Sequence, residues 1–152
     1  MKKLPSISAQ INEKTIHRII KKNFSKLAPF YHNLINNWLI RAYSHYKDID
    51  KFIIIIYLIN KDLIFFRRNG LIIDYDTFYK DKTVEVEKIN ISDISKDLQI
   101  PKESIRRKVL ELEKKGIIKK TGKKIFVDKS AFYAAQAVFT LKDLTVLLHE
   151  FS

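Results

Sequence analysis

The chain has 152 residues, 46% of them hydrophobic, so it can bury a core and is not a disordered tail. Its 29 lysine and arginine residues outnumber 17 acidic residues, and the net charge of +12 favours nucleic acid, an anionic membrane surface or an acidic protein as partner. With no cysteine and only three glycines, disulfide bonds, thiolate metal sites and glycine-rich phosphate loops are excluded, and no other enzyme signature is present.

The N-terminal half is predicted to be helical. The first ten residues are basic, but no apolar stretch follows them, so no secretory signal is expected. Asn12 can cap a first helix, which Ala28 and Pro29 interrupt, and a second helix is predicted over Phe30–Tyr46. The apolar stripe of the first helix is Ile16, Ile20, Phe24 and Leu27, and the inward residues of the second are Leu34, Ile35, Trp38, Leu39, Ala42 and Tyr46.

A third helix is predicted around the most apolar run, Phe52–Ile59. An unbroken apolar run fits a strand as well as a helix, but its flanking signals favour a helix. Asp48 or Asp50 can cap it, and Asn69 and Gly70 mark its end. We expect this helix to be central and buried on all sides. Eight apolar residues are too few to cross a membrane, which takes about 20.

The segment from Leu71 to Lys88 gives weaker signals. It favours a short helix around Thr77–Tyr79 and a small strand within Val84–Ile89 that joins a later hairpin.

A short helix, a tight turn and a second helix are predicted between Asn90 and Gly116. Asn90 can cap the first helix, whose apolar face is Ile91, Ile94 and Leu98, and Pro101 follows the turn. The second helix spans Lys102–Lys115 and buries Ile105, Val109 and Leu112. Its opposite face carries Glu103, Arg107 and Lys114, flanked by Lys102 and Arg106, and Gly116 can end it in the left-handed conformation.

A basic β-hairpin follows the second helix. Ile117 and Ile118 begin its first strand, and Ile125, Phe126 and Val127 form its second strand. Four lysines and one glycine lie between them, namely Lys119, Lys120, Gly122, Lys123 and Lys124. Such a hairpin tip suits a phosphate backbone.

The C-terminal segment is again predicted to be helical. Ser130 can start a helix through Phe132, Ala135 and Phe139, and Thr140 with Asp143 resembles a second capping signal. Two ways to bury the apolar residues that follow remain open: against the N-terminal helices of the same chain, or against a second copy. Those residues are Leu144, Leu147, Leu148 and Phe151.

The stretch IPKESIRRKVLELEKKGIIKKTGKKIFV, residues 100–127, resembles the recognition helix and wing of winged helix-turn-helix transcription regulators. Its local pattern is closest to the Crp/Fnr type and is also similar to the MarR and GntR types. In the Crp-like pattern an Arg-Glu pair and a later Arg meet base edges, which implies Lys102, Glu103 and Arg107 here. Because Lys102 replaces an arginine and Arg106 a small residue, the preferred DNA sequence is expected to differ.

The resemblance implies a mainly α-helical fold with a small β-hairpin wing, in which a winged helix-turn-helix is flanked by N- and C-terminal helices. Residues 48–129 would form the DNA-binding domain, and residues 1–47 and 130–152 would support it or dimerise, as in the MarR-like layout. We expect a cytoplasmic, sequence-specific regulator that binds double-stranded DNA as a homodimer. No enzymatic activity and no cofactor are expected, and binding of a small-molecule effector stays open. No membrane association is expected.

The residues expected to contact DNA are Ser92, Lys102, Glu103, Ser104, Arg106, Arg107, Lys108, Lys120, Lys123 and Lys124. Trp38 and the tyrosines are expected in the core, and the four histidines lack metal-binding spacing. Two alternatives stay open: a winged-helix module for protein interaction or assembly, and a protein that binds RNA or a replication origin.

Overall fold

A computed structural model of the protein describes residues 12–80, 83–85, 89–122, 124–128 and 138–150. The protein is mainly α-helical with a small antiparallel sheet, as the sequence predicts. Its elements are α1 Glu13–Lys22, α2 Phe24–Tyr46, α3 Ile49–Arg68, α4 Tyr75–Lys80, β1 Thr83–Glu85, α5 Ile91–Leu98, α6 Lys102–Lys114, β2 Ile118–Thr121, β3 Lys124–Asp128 and α7 Val138–His149.

The first two helices meet at Asn23. The side chain of Asn12 caps α1 as predicted, accepting from the backbone N–H of Thr15 at 2.9 Å. The predicted interruption at Pro29 is wrong, because Pro29 lies inside α2. A proline leaves the carbonyl four residues earlier without its helical donor. That residue, Ser25, is exposed, so water can replace the missing donor.

The apolar run of α3 is a helix with well-defined ends, which confirms the preferred prediction. Asp48 accepts at its N-terminus from the backbone N–H groups of Asp50 and Lys51, at 3.0 and 3.4 Å. At the other end Gly70 has φ +67, and the N–H of Leu71 donates to the carbonyl of Phe66 at 2.9 Å. This pattern is a Schellman cap.

Burial of α3 on all sides was not a correct prediction. Phe52, Ile54, Ile55 and Leu58 are buried, but Ile53 is 38% exposed. One side of α3 therefore remains open, and the predicted inward position of Leu39 on α2 is also wrong, since Leu39 is 41% exposed.

Helices α5 and α6 are joined by the predicted tight turn. Asn90 and Asp93 form a reciprocal capping box at the start of α5. Gln99 adopts a left-handed conformation after α5, with φ 55, and the Ser95 hydroxyl donates to the carbonyl of Ile100 at 2.7 Å. Helix α6 then begins directly after Pro101.

Gly116 ends α6 and directs the chain into the hairpin. Its φ is +72, its N–H donates to the carbonyl of Glu113 at 2.9 Å, and the N–H of Ile117 donates to that of Leu112 at 3.0 Å. These two bonds make a second Schellman cap, as the glycine signal predicts.

The sheet has the strand order β1–β3–β2, and both pairings are antiparallel. Strands β2 and β3 form the predicted hairpin, in which Thr121 pairs with Lys124. The predicted strand before α5 is present as β1, where Val84 pairs with Val127. The predicted short helix is α4.

The core is a single cluster that surrounds α3 and includes apolar residues of α5, α6 and the hairpin. Ile94, Ile105 and Ile118 are completely buried in it. Trp38 of α2 contacts Phe52 edge-on, with ring centroids 5.1 Å apart. The core prediction holds for Trp38 and Tyr46, whereas Tyr31 and Tyr43 are exposed.

Helix α7 packs on α2 of the same chain. Thr140 lies inside α7, so its predicted capping role is wrong. Instead, the guanidinium of Arg41 on α2 donates to Asp143 at 2.9 Å and to Thr140 at 3.4 Å. The predicted helix from Ser130 through Ala135 and the predicted burial of Phe151 lie outside the described residues.

Helix α1 buries none of its residues. Of the predicted apolar stripe, Ile16, Ile20 and Phe24 are 39% to 60% exposed, and Leu27 is buried. Ile19 lies outside that stripe and is 44% exposed. Within the described part of the chain, no helix combines the length and the apolar character that a membrane span needs.

Candidate nucleic-acid interface

The outward face of α6 is strongly polar. Lys102, Glu103, Arg106 and Arg107 are exposed there, while Ile105, Val109 and Leu112 on the opposite side are at most 2% exposed. The 3.6-residue period of a helix separates the two sets, so the buried stripe forces the charged set outward. One apolar side chain, Leu110, lies on the same outward face and is 51% exposed.

Two of the predicted reading residues contact each other. The carboxylate of Glu103 forms an ion pair with Arg106 one turn later, and their side chains are 76% and 55% exposed. Exposed pairs of this kind stabilise a helix by only about 0.3–0.5 kcal/mol. The pair can therefore be broken at little cost, but the two side chains cannot be treated as independent.

Lys108 is not on the outward face, which corrects the prediction that it contacts DNA. The residue is 7% exposed, and its ammonium donates to Asp48 at 2.5 Å and lies 3.2 Å from Asp50. Burial alone would lower the pKa of Lys108, but hydrogen bonds to these two carboxylates outweigh it and raise the pKa. The group is therefore a charged ammonium committed to the start of α3.

The position of Lys108 was available from helical spacing. It lies three residues after Ile105 and four before Leu112, so it borders the buried stripe. The run of three cations at residues 106–108 suggested a common role that the helix geometry does not allow.

A second ion pair joins the same helices with the opposite polarity. Lys51 of α3 is paired with Glu111 of α6, and their side chains are 12% and 43% exposed. The hydrogen bond from Lys51 lowers the pKa of the Glu111 carboxyl against a small opposing effect of burial. For Asp48, burial would raise the pKa, but Lys108 and the backbone N–H groups of Lys51 and Asp50 lower it.

A polar contact that the sequence did not reveal holds α5 on α3. The Tyr57 hydroxyl donates to Asp97 at 2.7 Å, and the Lys61 ammonium donates to the same oxygen at 3.1 Å. The bond from Tyr57, followed by the bond from Lys61, lowers the pKa of the Asp97 carboxyl. Residues 36 and 40 positions apart meet here, and no local pattern predicts such a pair.

Two of the predicted site residues, Ser92 and Lys120, lie close to each other. Both line a groove of about 380 Å³ between the start of α5 and the hairpin, together with Asn90 and Gly122. Ser104 is half-buried at the start of α6.

The hairpin places one cation, Lys120, in the lining of this groove. Lys119 and Lys120 of β2 are exposed, and Lys124 begins β3. Lys123 lies outside the described residues. The exposed cations of α6 and β2 thus belong to consecutive elements joined by the Gly116 turn.

Among the residues that the structure describes, no three His, Asp or Glu side chains form a group that could hold a metal ion. Comparison of the chain with protein-family models, with curated proteins and with solved structures finds no match.

Proposed function

We propose that this protein is a sequence-specific DNA-binding transcription regulator with a winged helix-turn-helix. The observation that carries the proposal is α6, which buries an apolar stripe, presents Lys102, Arg106 and Arg107 outward, and leads directly into a basic hairpin. A helix about 10–12 Å wide fits the major groove of B-DNA, which is about 12 Å wide.

In this proposal each element has one task. Helix α6 enters the major groove, where Arg107 binds a guanine edge and Glu103 accepts from a cytosine amine. Phosphates are contacted by Lys102 of α6 and by the hairpin lysines Lys120, Lys123 and Lys124. Helix α5 crosses the backbone with Ser92 near its start.

We further propose that the protein acts as a homodimer. The large apolar side chains that α1, α2 and α7 expose amount to on the order of 1,000 Å² in all, and those of α7 lie on more than one side of that helix. A standard interface covers about 800 Å² per partner. These side chains of α1, α2 and α7 are 39% to 60% exposed: Ile16, Ile19, Ile20, Phe24, Tyr31, Leu39, Ile40, Tyr43, Phe139, Leu141, Leu144, Val146 and Leu148. A two-fold axis through this surface would present two α6 helices to successive major grooves, about 34 Å apart.

The test is binding-site selection on random duplexes, followed by mobility shifts on the selected site at several salt concentrations. Arg107→Ala should relax the sequence preference and lose about 1–3 kcal/mol on the selected site. Lys120→Met should weaken binding to all duplexes and lower the salt slope by about one. Lys26→Met, which removes an exposed cation of α2, is the matched control. Equal binding of the wild type and Arg107→Ala to the selected site would refute the reading role.

The second candidate is a winged-helix module that binds protein. Leu110 in the middle of the outward face and the ion pair between Glu103 and Arg106 favour it, because they make that face less cationic than its sequence suggests. Absence of duplex binding at low salt would favour this candidate, and preference for single-stranded or structured RNA would favour an RNA-binding protein.

A further inference from the structure

The contact between α3 and α6 combines an apolar stripe with three ion pairs, two of one polarity and one of the other. Lys108 of α6 reaches Asp48 and Asp50 at the start of α3, while Lys51 of α3 reaches Glu111 of α6. Asp48 also caps α3 with its other carboxylate oxygen. Lys108 therefore connects α6 to the corner where α2 ends and α3 begins.

The apolar stripe decides which face of α6 is buried, but apolar packing defines the finer rotation of the helix about its axis less sharply. Ile105, Val109 and Leu112 are aliphatic, and burial of aliphatic surface has no directional preference. Cores that keep only volume and polarity lose a unique arrangement before they lose stability. Charged groups in contact at fixed positions do have a direction and can specify register.

The rotation of α6 matters because adjacent residues differ by about 100° around a helix. Arg107 points outward, and Lys108 points to the acids of α3. A rotation of α6 by only part of that angle would turn Glu103 and Arg107 away from their present direction and would separate Lys108 from its acids.

Building on the proposed function, we propose that Lys108 is a positioning residue that sets the rotation of α6 and so directs Glu103 and Arg107 toward base edges without touching DNA. This role predicts a loss of sequence discrimination, because the reading side chains are misdirected while the phosphate-binding lysines remain. A direct phosphate contact would instead weaken all binding and lower the salt slope. A purely stabilising role would change the unfolding temperature and leave both binding measurements alone.

Three variants separate these roles. Lys108→Met keeps the length of the side chain and removes the charge, and Lys108→Arg keeps the charge. Lys120→Met is the control for a cation proposed to contact phosphate. Affinity for the selected duplex and for random duplex is measured over a range of salt, at a temperature where circular dichroism shows each variant to be folded.

For Lys108→Met we expect roughly tenfold weaker binding to the selected site, about the loss of one good base contact. Binding to random duplex should change by less than about twofold, with an unchanged salt slope. Lys108→Arg should retain most of the discrimination, because its guanidinium can still reach both acids. A lower salt slope for Lys108→Met, or an unchanged ratio of specific to random binding, would overturn the proposal.

A measurement without DNA separates this inference from the proposed function. The chain has no cysteine, so Ser104→Cys introduces a single thiol one turn before Lys108, at a half-buried position. Adding Lys108→Met should change its alkylation rate at least about threefold under native conditions, and adding Lys120→Met should not. If wild-type protein fails to bind any duplex, the proposed function fails. In that case the alkylation rate alone tests whether Lys108 sets the rotation of α6, and an unchanged rate overturns that role.

Discussion

The exposed stripe of α1 provides the sharpest test of the proposed dimer. Ile19 is 44% exposed in the single chain, and α1 buries none of its own residues. Replacing Ile19 with alanine removes roughly 60 Å² of apolar surface from an interface that covers it, or about 1.5 kcal/mol at 25 cal/mol per Å². A two-fold interface contains the substitution twice, so the expected loss is about 3 kcal/mol, which raises the dimer Kd roughly a hundredfold.

Sedimentation equilibrium over a wide range of concentrations measures this Kd directly. Ile72→Ala is the matched control, because Ile72 is 71% exposed but follows α3 and lies outside the proposed surface. Far-ultraviolet circular dichroism should show equal helix content in both variants, since neither side chain belongs to the core. An Ile19→Ala protein that dimerises like the wild type would refute the proposed surface, and a wild type that stays monomeric would refute the dimer itself.

Three further changes test the structure around α6. Gly116→Ala should lower the free energy of unfolding in urea by about 1 kcal/mol, because φ is +72 while no atom lies within 4 Å of the added Cβ. Gly116→Asn should lower it less. A loss above about 3 kcal/mol for Gly116→Ala would contradict a purely conformational effect. Leu112→Ala should destabilise the protein by about 2–5 kcal/mol, because the residue is fully buried. Leu110→Ala is its control, because Leu110 is exposed. Equal losses of stability in the two variants would contradict the burial of Leu112. Asp48 has a lowered pKa in the folded protein, so its contribution to stability is present above its unfolded pKa near 4 and disappears as pH falls through the folded value. The free energy of unfolding of Asp48→Asn should therefore fall less between pH 5 and acid than that of the wild type, and parallel pH profiles would contradict this.

Local signals in the sequence were sufficient for the elements around α6. Asn90, Pro101 and Gly116 act on backbone atoms within a few residues, so the start of α5, the start of α6 and its end could be predicted without tertiary information. The alternation of burial along α6 follows from helical period alone. These predictions succeeded because the forces that decide them act over one or two turns.

Long-range contacts explain what the sequence did not predict. Lys108 meets Asp48 across 60 positions, and Arg41 meets Asp143 across 102. Neither pair has a spacing that marks it, so the sequence pattern groups Lys108 with its cationic neighbours. Pro29 shows the same limit in another form: it lies inside α2, where the residue four positions earlier, Ser25, is exposed, and helix propensity does not reveal that exposure.

The path from the proposed dimer surface to α6 predicts a fixed spacing between half-sites. Helix α2 carries Ile40 and Tyr43 on its exposed side and ends at Tyr46, which is 2% exposed within the core. Two residues later Asp48 caps α3 and accepts from Lys108 of α6. Because this corner is held by buried packing and by an ion pair, α6 cannot change its distance from a two-fold axis at α1, α2 and α7 without disrupting the core.

Selected duplexes should therefore contain two half-sites with one constant separation, close to the 10 base pairs of a helical turn or a multiple of it. Inserting five base pairs between the half-sites turns one of them to the opposite side of the DNA, and binding should then fall to that of a single half-site. Inserting a full turn tests rigidity separately, because a rigid dimer cannot follow the added length even though both half-sites again face the same side. Equal affinity for all three spacings would show that the two copies are flexibly joined, contrary to the path through Tyr46 and Asp48.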